Sequence, residues 1–98
     1  MRIGLMGQAA FGERALRTLL ERGEDVVCVF VPQEGPGRGA DPLKELALQQ
    51  NIMVFQPPNL RDPQLITDYA RLAPDLGVMA FVTAIVPVGL LNSPRLGT

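Results

Sequence analysis

What most constrains this chain is a repeated alternation. Four short apolar runs are separated by stretches whose apolar residues recur at helical spacing. The runs cover residues 2–8, 25–32, 52–55 and 76–82, and the second is the richest in β-branched residues. Such short apolar runs predict strands, and the second, at 25–32, predicts one buried on both faces. Strands that alternate with helices predict a parallel sheet joined by right-handed crossovers. The expected fold is therefore a Rossmann-like α/β sheet in the order 3-2-1-4, flanked by helices and incomplete on its C-terminal side. Ninety-eight residues make one domain at most.

The helical stretches carry their own punctuation. Phe11, Ala15, Leu16, Leu19 and Leu20 mark the inner face of the first, and Gly23 stands where a helix-terminating glycine belongs. Asp41-Pro42 and Asp62-Pro63 are both an N-cap followed by proline at the first helical position. Leu43, Leu46, Ala47 and Gln50 follow the first of these devices. Leu65, Ile66, Tyr69, Ala70 and Leu72 follow the second, and Pro74 stops that helix. Residues 33–40 hold three glycines and a proline, which predicts a loop.

Charge and residue type exclude several function classes. The net charge is −1, with eight Arg and one Lys scattered along the chain, so no broad basic field exists to hold RNA, DNA or an anionic membrane. No apolar stretch is long enough to span a bilayer, and Met1-Arg2-Ile3 leads straight into a strand pattern without a leader signal, so a cytoplasmic setting is expected. The chain has no histidine, and its acidic residues are unclustered, which argues against a metal site. Asp41 and Asp62 read as caps; Glu13, Glu21 and Asp68 lie on polar helix faces; Glu24 and Asp75 fall in turns. Ser93, the one serine, has no base near it in sequence. Cys28 lies within Val26-Val27-Cys28-Val29-Phe30 and reads as a buried core thiol. No catalytic residue is assigned.

Two segments remain as candidate sites. Gly7-Gln8-Ala9-Ala10-Phe11-Gly12 lies between the first strand and the first helix. A dinucleotide cradle there needs G-x-G-x-x-G, but Ala9 takes the second glycine position. It also needs an acid at the end of the second strand, which instead ends Val31-Pro32-Gln33. A tight turn with Gly12 packed closely fits better, although its free N–H groups could still meet an anion or a substrate edge. The second segment is Phe81-Val82-Thr83-Ala84-Ile85-Val86-Pro87, just beyond the fourth strand. In open α/β sheets the ligand crevice lies outside the carboxyl ends of the strands. An apolar wall with available backbone groups suits a flat heteroaromatic ring, and it equally suits a plain strand end packing inward.

The order of these pieces resembles the folate-dependent formyltransferases. The resemblance is carried by Arg2-Ile3-Gly4-Leu5-Met6-Gly7-Gln8 with Phe11-Gly12, by Val27-Cys28-Val29-Phe30-Val31-Pro32, and by Gly39-Ala40-Asp41-Pro42-Leu43. Further on it rests on Lys44-Glu45-Leu46-Ala47, Leu60-Arg61-Asp62-Pro63, Ala73-Pro74-Asp75-Leu76, the Phe81-to-Pro87 segment and Pro94-Arg95-Leu96-Gly97. It implies that residues 1–98 are the N-terminal part of a formyltransferase-type α/β domain, ending before the catalytic strand. It implies 10-formyltetrahydrofolate as formyl donor or substrate, and a folate-binding wall at Phe81, Val82, Thr83, Ala84 and Ile85. The family's catalytic Asn, His and Asp would lie downstream, so this part alone should be inactive and needs the rest of its chain to complete the site.

Within the family, the Gly7-Gln8 and Phe11-Gly12 pairs with Ala40-Asp41-Pro42-Leu43 resemble the formyl-folate hydrolase domain of 10-formyltetrahydrofolate dehydrogenases. The short loop expected at 33–40, with its one arginine, argues against a tRNA partner, which would put the methionyl-tRNA formyltransferases second and the sugar-nucleotide formyltransferases third. Two readings from other classes stand beside these: a non-catalytic nucleotide-binding module, and a structural domain whose open strand edge docks a partner. The pattern also predicts an unpaired outer edge on the fourth strand, with Leu90 and Leu91 short of cover.

Overall fold

The computed structural model describes residues 1–33, 39, 41–58, 60–80, 86 and 88–98. In chain order the elements are β1 (Arg2–Gly7), α1 (Ala9–Glu21), β2 (Asp25–Phe30), α2 (Pro42–Gln49), β3 (Met53–Phe55), α3 (Pro63–Arg71), β4 (Leu76–Ala80) and α4 (Val88–Leu91). The four strands form one sheet in the order β3-β2-β1-β4, and every pairing is parallel. This is the predicted fold.

Side chains of the two central strands, β1 and β2, alternate between two apolar layers, as the pleat requires. Leu5, Val29 and Val31 pack with Leu16 of α1 and with Leu43, Leu46 and Ala47 of α2. Met6, Cys28 and Phe30 pack on the other side with Leu65 and Tyr69 of α3 and Leu90 of α4. In the second layer Phe30 stacks on Phe55 and meets Tyr69 edge-on, both at 4.9 Å between ring centres. The β1–β2 register slips between Ile3 and Gly4, so β2 carries one extra residue there.

Helix ends follow the local signals. α1 closes in a Schellman motif: Glu24 N–H donates to Leu19 O at 3.1 Å and Gly23 N–H to Leu20 O at 3.0 Å, with Gly23 at φ +76°. Asp41 and Asp62 each accept from the backbone two residues on, Leu43 N and Gln64 N, both at 2.9 Å.

Three expectations are corrected. Phe11 is 66% exposed rather than on the inner face of α1; Gly12 is buried in its place, because the first turn of α1 lies directly on β1. Leu90 is fully buried in the second layer, whereas Leu91 is half-buried, short of cover as expected. The outer edge of β4 is not wholly bare. Arg95 N–H donates to Pro74 O at 3.1 Å, Leu96 N–H to Asp75 O at 2.7 Å, and Gly77 N–H to Gly97 O at 2.8 Å. The tail after α4 therefore runs along the first half of β4. Within the loop expected at 33–40, residues 33 and 39 are irregular and the others lie outside the described residues.

Candidate functional site

Strand order fixes where a crevice can form. From β1 the chain moves outward through β2 to β3 with α1 and α2 on one face; it then returns to the other side of β1 through α3 on the opposite face. The topological switch therefore lies between β1 and β4. Ligands of open α/β sheets sit there, beyond the carboxyl ends of the strands. Gly7 and Ala80 are register partners at that end.

The close approach at the switch explains both glycines. A β-carbon on Gly7 would lie 3.0 Å from Ala80 O and 3.4 Å from Leu43 Cδ2. One on Gly12 would lie 2.7 Å from Leu43 Cδ2 and 3.2 Å from the Gly7 carbonyl carbon. The tight-turn reading of residues 7–12 thus fits the packing.

The anion position at this turn is filled from within the chain. Gln8, the N-cap of α1, contributes no side-chain bond. Ala9 N–H instead donates to both carboxylate oxygens of Asp41, at 2.9 and 2.8 Å. The same carboxylate caps α2. In a dinucleotide-binding fold a phosphate sits at the N-terminus of this helix. Here a fixed carboxylate takes the Ala9 N–H and repels a second anion, which tells against the nucleotide-module reading. Sequence reasoning found Asp41 as a cap of α2 and missed this longer-range contact.

Phe81, Val82, Thr83, Ala84 and Ile85 all lie outside the described residues. The residues on either side of them are placed. Ala80 packs with the α1–α2 layer, and Val86 with the α3–α4 layer.

Several other polar groups have structural partners. Glu13 pairs with Arg17 at 3.6 Å, and Glu24 with the N-terminal amine at 3.7 Å. Asp68 accepts from Gln64, and the Ser93 hydroxyl donates back to Gly89 O at 2.9 Å. Cys28 is fully buried, and burial pushes its thiol up to about 12, so it is protonated and unreactive at neutral pH. Among the described residues no three of His, Cys, Asp and Glu stand together as metal ligands, and no helix is long and apolar enough to cross a membrane. A groove of about 300 Å³ lined by Glu13, Arg17, Pro42, Glu45, Leu46 and Gln49 is a seam between α1 and α2.

No family model matches the chain. Individual proteins do. The methionyl-tRNA formyltransferase of Trichlorobacter lovleyi is 44% identical over 101 residues, covering 98% of this chain and 32% of that protein. Those of Pseudomonas syringae pv. syringae and Geobacter sulfurreducens are 39% and 40% identical over 102 residues, again spanning 99% of this chain and 32% of theirs. In fold, the chain resembles glycinamide ribonucleotide transformylase 1 from Symbiobacterium toebii, with a TM-score of 0.68 over 97% of this chain and 48% of that one, at 16% identity. Over nearly its whole length this chain is similar to methionyl-tRNA formyltransferases, and it has the N-terminal fold of the folate-dependent formyltransferases.

It corresponds to the N-terminal region of the formyltransferases and spans 32% of the length of the relatives named. Those relatives are on the methionyl-tRNA branch of the family, so they give no support to the expectation that set tRNA aside.

Proposed function

We propose that the protein containing this chain transfers the formyl group of 10-formyltetrahydrofolate, and that residues 81–85 form the folate-facing wall. The observation that carries the reading is the end-to-end match to methionyl-tRNA formyltransferases over 98–99% of the chain. Geometry supports it in two ways. β4 ends at Ala80, at the switch point, where such sheets take their ligands. The phosphate position beside it is already filled by Asp41.

The residues suit the donor. Phe81, Val82, Ala84 and Ile85 offer apolar side chains, and the backbone between them offers in-plane donors and acceptors for a pterin ring. When bound, the folate supplies the formyl group. This chain has no histidine, so proton transfer at the reacting carbon falls to residues outside it. Methionyl-tRNA is the acceptor favoured by the relatives named. Water is the second choice, favoured by the short loop at 33–40 with its one arginine.

Both questions are answered by one assay. The complete gene product is incubated with 10-formyltetrahydrofolate, with and without methionyl-tRNA, and donor loss and formyl-methionyl-tRNA are both followed. Formylated tRNA is the expected product. Donor consumption without tRNA would place the protein on the hydrolase branch, and no consumption in either arm would defeat the folate reading. A formyl-inert folate analogue should slow amide exchange at residues 81–85; unchanged exchange there would move the site off this segment.

A further inference from the structure

We propose that the outer face of α1 is a contact surface for the acceptor RNA, with Arg14 and Arg22 set against its phosphates; this rests on the methionyl-tRNA reading above. The arginines make no broad basic field, but α1 and its C-cap gather Arg14, Arg17 and Arg22. These fall on two stripes. Glu13, Arg17 and Glu21 follow one another at four-residue spacing, and Arg17 is paired with Glu13 at 3.6 Å. Arg14, Thr18 and Arg22 follow at the same spacing one residue on, and all three are exposed. Within the helix, the positions three and four residues from Arg14 or Arg22 hold Ala10, Phe11, Arg17, Thr18 and Leu19, so no carboxylate stands where it would pair with them. The Thr18 hydroxyl donates back to Arg14 O at 3.0 Å. Among the described residues neither guanidinium has a partner, whereas those of Arg2, Arg17 and Arg95 do.

Two unpaired cations about 12 Å apart along one helix axis suit a polyanion. Their place in the fold selects which one. α1 starts two residues after Gly7, at the carboxyl end of β1, so the stripe begins at the ligand end of the sheet and runs down one flank. An RNA whose aminoacyl end reaches a formyl donor at the switch has to leave across one flank or the other. On the opposite flank α3 carries Arg71, but Asp68 stands three residues before it. On the near flank Glu13 and Arg17 line the seam with α2, and the carboxylates of Glu13 and Glu21 repel a phosphate from their stripe. The contact is thereby confined to Arg14 and Arg22.

The test reads charge and place separately. The complete gene product is assayed with methionyl-tRNA as the varied substrate over a range of salt concentrations. The double variant Arg14→Gln/Arg22→Gln keeps good helix formers and removes both charges. It is expected to raise the methionyl-tRNA KM about tenfold at low salt and to leave the donor KM within about twofold. It should also flatten the plot of log kcat/KM against log salt by about 1.5, the loss of two phosphate contacts. Arg71→Gln, the same change on the opposite flank, should leave all three values as in the wild type. A wild-type salt slope in the double variant overturns the proposal and leaves the methionyl-tRNA reading intact. An equal flattening with Arg71→Gln overturns it too, because the effect would then follow net charge and not the face of α1. A wild-type protein that consumes donor without formylating tRNA defeats the acceptor reading, and this proposal with it.

Discussion

Tyr69 lies fully buried across Gly4, and its hydroxyl has no hydrogen-bond partner among the described residues. Burial raises its pKa above the usual phenol value, and the neighbouring Cys28 adds to the shift. The ring is retained for its apolar area and its edge-on contact with Phe30. Its oxygen contributes only a desolvation cost. Tyr69→Phe should therefore raise stability by about 1 kcal/mol, the lower end of that cost. Urea denaturation checks it, and a loss of stability would mean that the hydroxyl has a partner after all. The pattern of the third helix identifies Tyr69 as inward-facing, but nothing in it shows that the ring lies on a glycine 65 residues earlier. Asp41 teaches the same lesson. Its cap is written in the Asp-Pro pair, whereas its bond to Ala9 depends on where two helices come to rest.

At the scale of the element, α1 illustrates a contest between local and tertiary terms. Gly12 sits in the first turn of a helix, and replacing such a glycine by alanine ordinarily favours the helix by about 1 kcal/mol. Here the added methyl would meet Leu43 at 2.7 Å, with the Gly7 backbone behind it. Gly12→Ala should therefore be destabilising by about 1–3 kcal/mol, as overpacking is. Thermal melting measures it; an unchanged or higher Tm would show that α1 has room to move off β1. The same geometry accounts for Phe11. Helical periodicity places it near the inner face, but the first turn lies against β1 so closely that the buried position goes to glycine. The end of α1 needed no such correction. Gly23 closes it through bonds that depend only on neighbours in sequence.

For the whole molecule, the amino ends of β1 and β4 are tied by a polar cluster opposite the switch. Arg2 N–H donates to Asp75 Oδ2 at 2.9 Å, Arg2 Nε donates to Leu72 O at 2.9 Å, and Arg95 Nε lies 3.3 Å from Asp75 Oδ1. The Arg2 N–H bond, helped by the Arg95 guanidinium, holds the Asp75 carboxyl below its usual 3.8. A carboxyl lowered in the folded state binds fewer protons than the unfolded chain does. Its stabilisation is then present above pH 3.8 and is lost as pH falls through the folded-state value. Urea midpoints of wild type and Asp75→Asn should differ at neutral pH and converge below pH 3.8. A constant gap would remove the carboxyl from the account. The cluster also anchors the tail, since Arg95 joins Asp75 by its side chain while Leu96 and Gly97 pair with β4.

The apolar runs, the helical spacing and the Asp-Pro caps determined the element order, the parallel sheet and its strand sequence. These follow from interactions a few residues long and from the handedness of the crossovers. Tertiary structure alone decided that Asp41 closes the turn of α1, that Tyr69 covers Gly4, that Leu90 is buried, and that the tail pairs with β4. Each of these joins residues brought together only when helices settle on a sheet. That settling is governed by close packing in three dimensions, which no periodicity in one dimension encodes.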